Sequence, residues 1–289
     1  MASTLATVAF IYKKLYSKDA PGDLTTRDHV LLSKLAKRSG FTGSSYDYSI
    51  RHANPNGVSA DFSTAQANVQ TSKGLQLTAS RVKKYGIVQI DGESLAASQG
   101  EGAMLDLVKQ ETSGVLEEVG DHLAFESYRD GNAARGIRSS ESSDVTTLTI
   151  ADDARNFKVG MTVVASPNAD GSSPRTGTTL ITSVDEDSGT IGLDTSDITS
   201  YADSDYLFAS GDQAAGVDGL AALFPLTAPT SGDSFRGVDR SVDPRRQAGV
   251  RVDDTGTVVE ENAGLVAVKI AQVGRKADSV FVNPIEFWN

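Results

Sequence analysis

Five arginines fall within sixteen residues, at Arg236, Arg240, Arg245, Arg246 and Arg251, and form the densest cationic group in the chain. Guanidinium forks at this density suit phosphate recognition. Here, however, Asp233, Asp239, Asp243, Asp253 and Asp254 are interleaved with them and cancel the five charges. No run of aromatic residues is present to stack bases. Alternating arginine and aspartate instead predicts salt bridges between neighbouring subunits or loops.

Other chemistry fails at the level of spacing. The three histidines, His29, His52 and His122, belong to three separate elements, and none has a partner two or four residues away for a metal. Asp185, Asp187 and Gly189 begin like a calcium loop, but glycine stands where a ligand belongs and no glutamate closes twelve residues. A hairpin tip is the expected reading, with Asp203 and Asp205 able to add ligands only through the fold. Gly100-Glu101-Gly102 lacks the third glycine of a dinucleotide loop, and Gly92-Glu93-Ser94-Leu95-Ala96 misses the nucleophile elbow. There is no cysteine, which removes disulfides, thiolate metal sites and cysteine nucleophiles together. No catalytic residue, cofactor or metal ligand is expected, and with 38 acidic residues no carboxylate pair stands out.

The charge map divides the 289 residues. Between Glu141 and Asp212 lie thirteen acidic and three basic residues, Arg155, Lys158 and Arg175, a balance of −10 in a chain of −11. Such a segment reads as an inserted, solvent-facing domain that phosphates repel. Its apolar alternation predicts five short strands: Val145–Ile150, Gly160–Ala165, Thr178–Val184, Thr190–Leu193 and Tyr206–Phe208, forming a small barrel or sandwich.

The flanks must position everything else. Leu5–Leu15 and a second stretch with Val30, Leu31, Leu32 and Leu35, capped at Thr25 or Thr26, have helical spacing. Lys13 and Lys14 follow the first apolar run, the reverse of a secretory signal, and that run is too short to span a membrane. Tyr46, Tyr48 and Ile50 alternate, as do Leu75–Leu77 and Gly86–Asp91. They predict a two-stranded arm unable to bury a core of its own. The longest helix is expected over Glu101–Arg129, on a stripe of Leu105, Val108, Val115, Leu116, Val119 and Leu123. Beyond Gly211 a short apolar element at Gly219–Phe224, a helix at Val258–Val273 and a strand at Val280–Val282, turned by Asn283-Pro284, complete the pattern.

This α+β order of elements resembles the major capsid protein of tailed double-stranded DNA bacteriophages. Asp233–Arg251 and Ala277–Pro284 are similar to segments of one capsid branch that carries a β insertion after its spine helix. The resemblance implies the tailed-phage major capsid fold. Its parts would be an N-terminal arm (1–42), an extended β loop (43–98), a long spine helix with peripheral region (99–138), an inserted small β-barrel domain (139–212) and a partial axial domain (213–289). In that family the chain continues past the position of Asn289, so the axial domain is expected to be incomplete.

The implied function is structural and not enzymatic. Copies form the hexamers and pentamers of an icosahedral shell around packaged DNA, in a virion assembled in bacterial cytoplasm, with no membrane. Portal, scaffolding and decoration proteins would be further partners, and DNA contact would be weak and nonspecific. Some family members crosslink through a lysine of the extended loop, where Lys73, Lys83 and Lys84 lie here. The interface candidates are Tyr46, Tyr48, Ile50, Arg236, Asp239, Arg240, Asp243, Arg245 and Arg246. Two other functions fit the same composition: a tail or baseplate component, and a surface-binding module whose acidic β domain takes glycans or cations.

Overall fold

A computed structural model describes residues 29–36, 43–93, 107–142, 144–194, 200–252 and 259–281. The expected helix at Leu5–Leu15, the caps at Thr25 and Thr26 and the turn at Asn283-Pro284 lie outside these residues. The chain is of mixed α+β class with antiparallel sheets. It divides into two compact units: Met1–Leu35 with Lys83–Ala124, and Ala36–Val82 with Phe125–Asn289.

In the first unit lies most of a 22-residue helix, Leu107–Tyr128, whose last turn belongs to the second unit. Gly86 lies against its valines, where an added Cβ would sit 2.4 Å from Val115 Cγ1 and 3.2 Å from Val119 Cγ2. The strand expected over Gly86–Asp91 is absent: this mostly exposed segment pairs with no strand among the described residues, and alternation without a pairing edge makes no ladder. His29, preceding a one-turn helix at Val30–Lys34, places its Nε2 2.9 Å from Asp121 Oδ1 of the long helix.

The second unit holds the arm. Strands β1 (Ser45–Ala53) and β2 (Lys73–Ser80) pair antiparallel, with Tyr46 opposite Ala79, Tyr48 opposite Leu77 and Ile50 opposite Leu75. These six side chains share one face, because side chains alternate along each strand. No residue of either strand is fully buried. Between the strands a short helix, Phe62–Ala67, is capped by Asp61, whose Oδ1 accepts from Thr64 N at 2.9 Å.

Among the described residues, the apolar core cluster lies inside a closed barrel. Six strands, β3 (Gly136–Ser142), β4 (Val145–Leu148), β5 (Thr162–Ser166), β6 (Thr179–Asp185), β7 (Thr190–Leu193) and β8 (Tyr206–Ala209), run in the order β3-β4-β7-β6-β5-β8. Leu148, Phe157, Val163, Ile181, Ile191, Leu193 and Leu207 fill it. Five strands match the expected ones to within two residues. The sixth, β3, begins ahead of the acidic segment and closes the barrel by pairing with both β4 and β8. Its Ser139–Ser142 run is polar and carries no alternation, so periodicity could not find it.

After the barrel come a one-turn helix at Leu220–Leu223, a tight hairpin of β9 (Ser234–Phe235) and β10 (Val238–Asp239), a short helix at Pro244–Gln247 and a 14-residue helix at Val259–Gln272. Val280 and Phe281 are exposed and form no strand, since no neighbouring strand among the described residues offers them an edge.

Candidate interaction site at the base of the arm

Two residues, Arg236 and Gly237, connect β9 to β10, and both have positive φ, 50° and 85°. This is the backbone of a two-residue hairpin turn, which normally takes Asn, Asp or Gly at its first position. An arginine held there costs about 1 kcal/mol or more in backbone conformation. Its side chain and its carbonyl are both engaged. Nε donates to Asp218 Oδ2 at 3.0 Å and Nη1 donates to the Tyr48 hydroxyl at 3.0 Å. The guanidinium carbon lies 5.0 Å from the Phe235 ring centre. The carbonyl of Arg236 accepts from Thr78 N at 3.2 Å. One residue thus touches both strands of the arm. Burial works against the charged form, but the hydrogen bonds to Asp218 and then Tyr48, with their charges, together outweigh it and hold the guanidinium pKa above its ordinary value.

Asp218 is fixed in turn by the segment that follows the barrel. It forms an isolated antiparallel bridge with Asp130, just past the long helix. Gly216 and Gly219 make that crossing possible. A Cβ at Gly216 would sit 2.3 Å from Gly131 O, and one at Gly219 would sit 2.2 Å from Glu126 O. Glu126, almost wholly buried, accepts from Val217 N at 3.2 Å.

The remaining arginines work nearby but on different partners. Arg240 is 7% exposed; it donates to Ala222 O at 2.7 Å and to both carboxylate oxygens of Asp233 at 3.1 and 3.3 Å, and lies 4.7 Å from the Phe235 ring centre. Arg246 donates to His52 O of β1 at 2.7 Å and stands 3.5 Å from Asp243. Arg245 reaches Lys269 O and Gln272 Oε1, each at 3.4 Å, and Arg251 reaches Pro225 O and Ala248 O. Asp239 accepts from Ser241 N and Gly232 N, and Asp243 accepts from Arg246 N. Hydrogen bonds from Ser241, then Gly232, hold the Asp239 carboxyl below the usual carboxylate range.

Of the nine interface candidates, Tyr48 and Arg236 meet directly, and Arg246 meets the same arm at the His52 backbone. Asp239, Asp243 and Arg245 bind within the β9–β10 region and its following helices, and Arg240 binds both that region and the preceding helix at Ala222. Tyr46 and Ile50 are half exposed, at 50% and 48%, with the Tyr46 ring 6.2 Å from that of Tyr48. Sequence reasoning missed Asp218. No spacing rule pairs positions 218 and 236; the one available sign was the pair of glycines bracketing it.

The calcium-like stretch resolves as a hairpin tip joining β6 to β7. Asp185 Oδ1 accepts from Asp187 N and Ser188 N, and its pKa is lowered, most by the Ser188 side chain and then by its amide. Asp205 is 2% exposed and bound bidentately by Arg175 at 3.0 and 2.9 Å, while Asp203 lies 3.4 Å from Arg138. The fold therefore uses these acids one by one in backbone and arginine contacts. No protein-family model, curated protein or solved structure matches this chain.

Proposed function

We propose that the chain is a major capsid protein of the tailed double-stranded DNA phage type, assembling into hexamers and pentamers of an icosahedral shell. One observation carries the reading. The arm pairs two strands over an apolar face of Tyr46, Tyr48, Ile50, Leu75, Leu77 and Ala79, yet none of these is fully buried in the single chain. A two-stranded ribbon of this kind is marginal in water by itself, and a neighbouring copy would complete its burial. The order of arm, long helix, inserted barrel and final α+β region supports the same reading. So does the charge map: the −10 of residues 141–212 suits a barrel displayed outward, leaving near-neutral walls toward DNA. No helix among the described residues is long and apolar enough to cross a membrane.

Purified full-length protein is expected to sediment as capsomers or closed shells, visible by negative-stain microscopy. Tubes or open rings would favour a tail or baseplate component. A monomer that persists at high concentration would sink the proposal.

A further inference from the structure

We propose that Arg236 is a releasable latch that holds the arm to the body of its own chain, so that the arm has a fastened and a free position. The arm contributes no fully buried residue, and its apolar side chains are half-buried or exposed. The hydrogen bonds described between it and the rest of the unit are concentrated on two arginines. Arg236 binds the Tyr48 hydroxyl on β1 with its side chain and Thr78 N on β2 with its carbonyl, while Arg246 binds His52 O. The Arg236 guanidinium continues onward to Asp218, whose backbone bridges to Asp130 beyond the long helix, whereas that of Arg246 reaches Asp243, three residues away in sequence.

The turn type sharpens the inference. Arg236 occupies a left-handed position (φ 50°) that glycine or asparagine would fill with less strain, so the arginine is there for its side chain. Its pair with Asp218 is partly exposed, 21% and 39% for the two side chains, and hence open to screening by salt. Fastening is strongest at low ionic strength. The inference does not depend on what the chain assembles into.

Amide hydrogen exchange on the full-length protein tests it. Arg236→Gly keeps the carbonyl that receives Thr78 N and suits the turn, but deletes both side-chain ties. Exchange of the β1 and β2 amides is expected to quicken about tenfold, with the barrel amides unchanged as the internal control of folding. Tyr48→Phe and Asp218→Asn should each give part of that effect. In the unmodified chain, added salt should speed arm exchange, and in Arg236→Gly it should not. Unchanged or slower arm exchange in Arg236→Gly would show an ordinary turn residue and overturn the latch. Loss of barrel protection together with the arm would overturn it as well, by making Arg236 a part of global stability.

Discussion

Tyr201 shows how single residues carry the barrel. Its ring is buried in the core and its hydroxyl donates to Val163 O at 3.1 Å and Gly177 O at 3.2 Å. Burial pushes the phenol pKa up to about 12, against about 10 for an ordinary tyrosine. Because the folded value is the higher one, the stabilising contribution is complete below pH about 10 and is lost as pH rises toward about 12. Ultraviolet titration should therefore show one tyrosine ionising late, together with a fall in melting temperature over that window. Tyr201→Phe should remove the late ionisation and cost roughly 1 kcal/mol at neutral pH, since two carbonyls lose a donor. Arg240 is the counterpart in the β9–β10 region. With its guanidinium on Asp233, Ala222 O and the Phe235 face at once, lysine could not reproduce its planar fork.

Elements differ in how much of their placement is local. Gly219 and Gly114 make the contrast measurable. Gly114 lies inside the long helix with no atom near its missing Cβ, so Gly114→Ala should stabilise by about 0.5–1 kcal/mol. Gly219 packs on the carbonyls of Glu126, Ser127 and Arg129, where a Cβ would fall 2.2–2.6 Å from three backbone oxygens. Gly219→Ala should cost roughly 2–3 kcal/mol in denaturant unfolding, because no side chain can move aside.

The same distinction explains what was legible in the sequence. Five barrel strands and the helix at Val259–Gln272 were readable because alternation and helical spacing are local. Gly86–Asp91 and Val280–Phe281 carried strand-like residues but have no pairing partner among the described residues, and periodicity cannot supply one. The arm's two strands were legible, whereas its fastening was not. The contact of Tyr48 with Arg236 spans 188 positions and needs Asp218 as a third member.

At the scale of the whole molecule, the barrel is the part that contains a closed hydrogen-bonded ring and its own core, while the arm has neither. A fragment covering 134–212 should therefore melt cooperatively alone. The charge boundary in the sequence invites a cut at 139, and that cut would fail for a specific reason. It removes Gly136 and Ile137, which pair with Leu207 and Tyr206, and so opens the ring between β3 and β8. It also removes Arg138, a buried side chain 2.7 Å from Glu141 and 3.4 Å from Asp203, leaving those acids without their cation in a segment already at −10. An open barrel exposes edge strands as well as core. Circular dichroism melts of 134–212 and 139–212 should show a sharp transition in the first and a broad or absent one in the second. Equal transitions would mean that β3 is dispensable and that the domain is defined by its charge boundary after all.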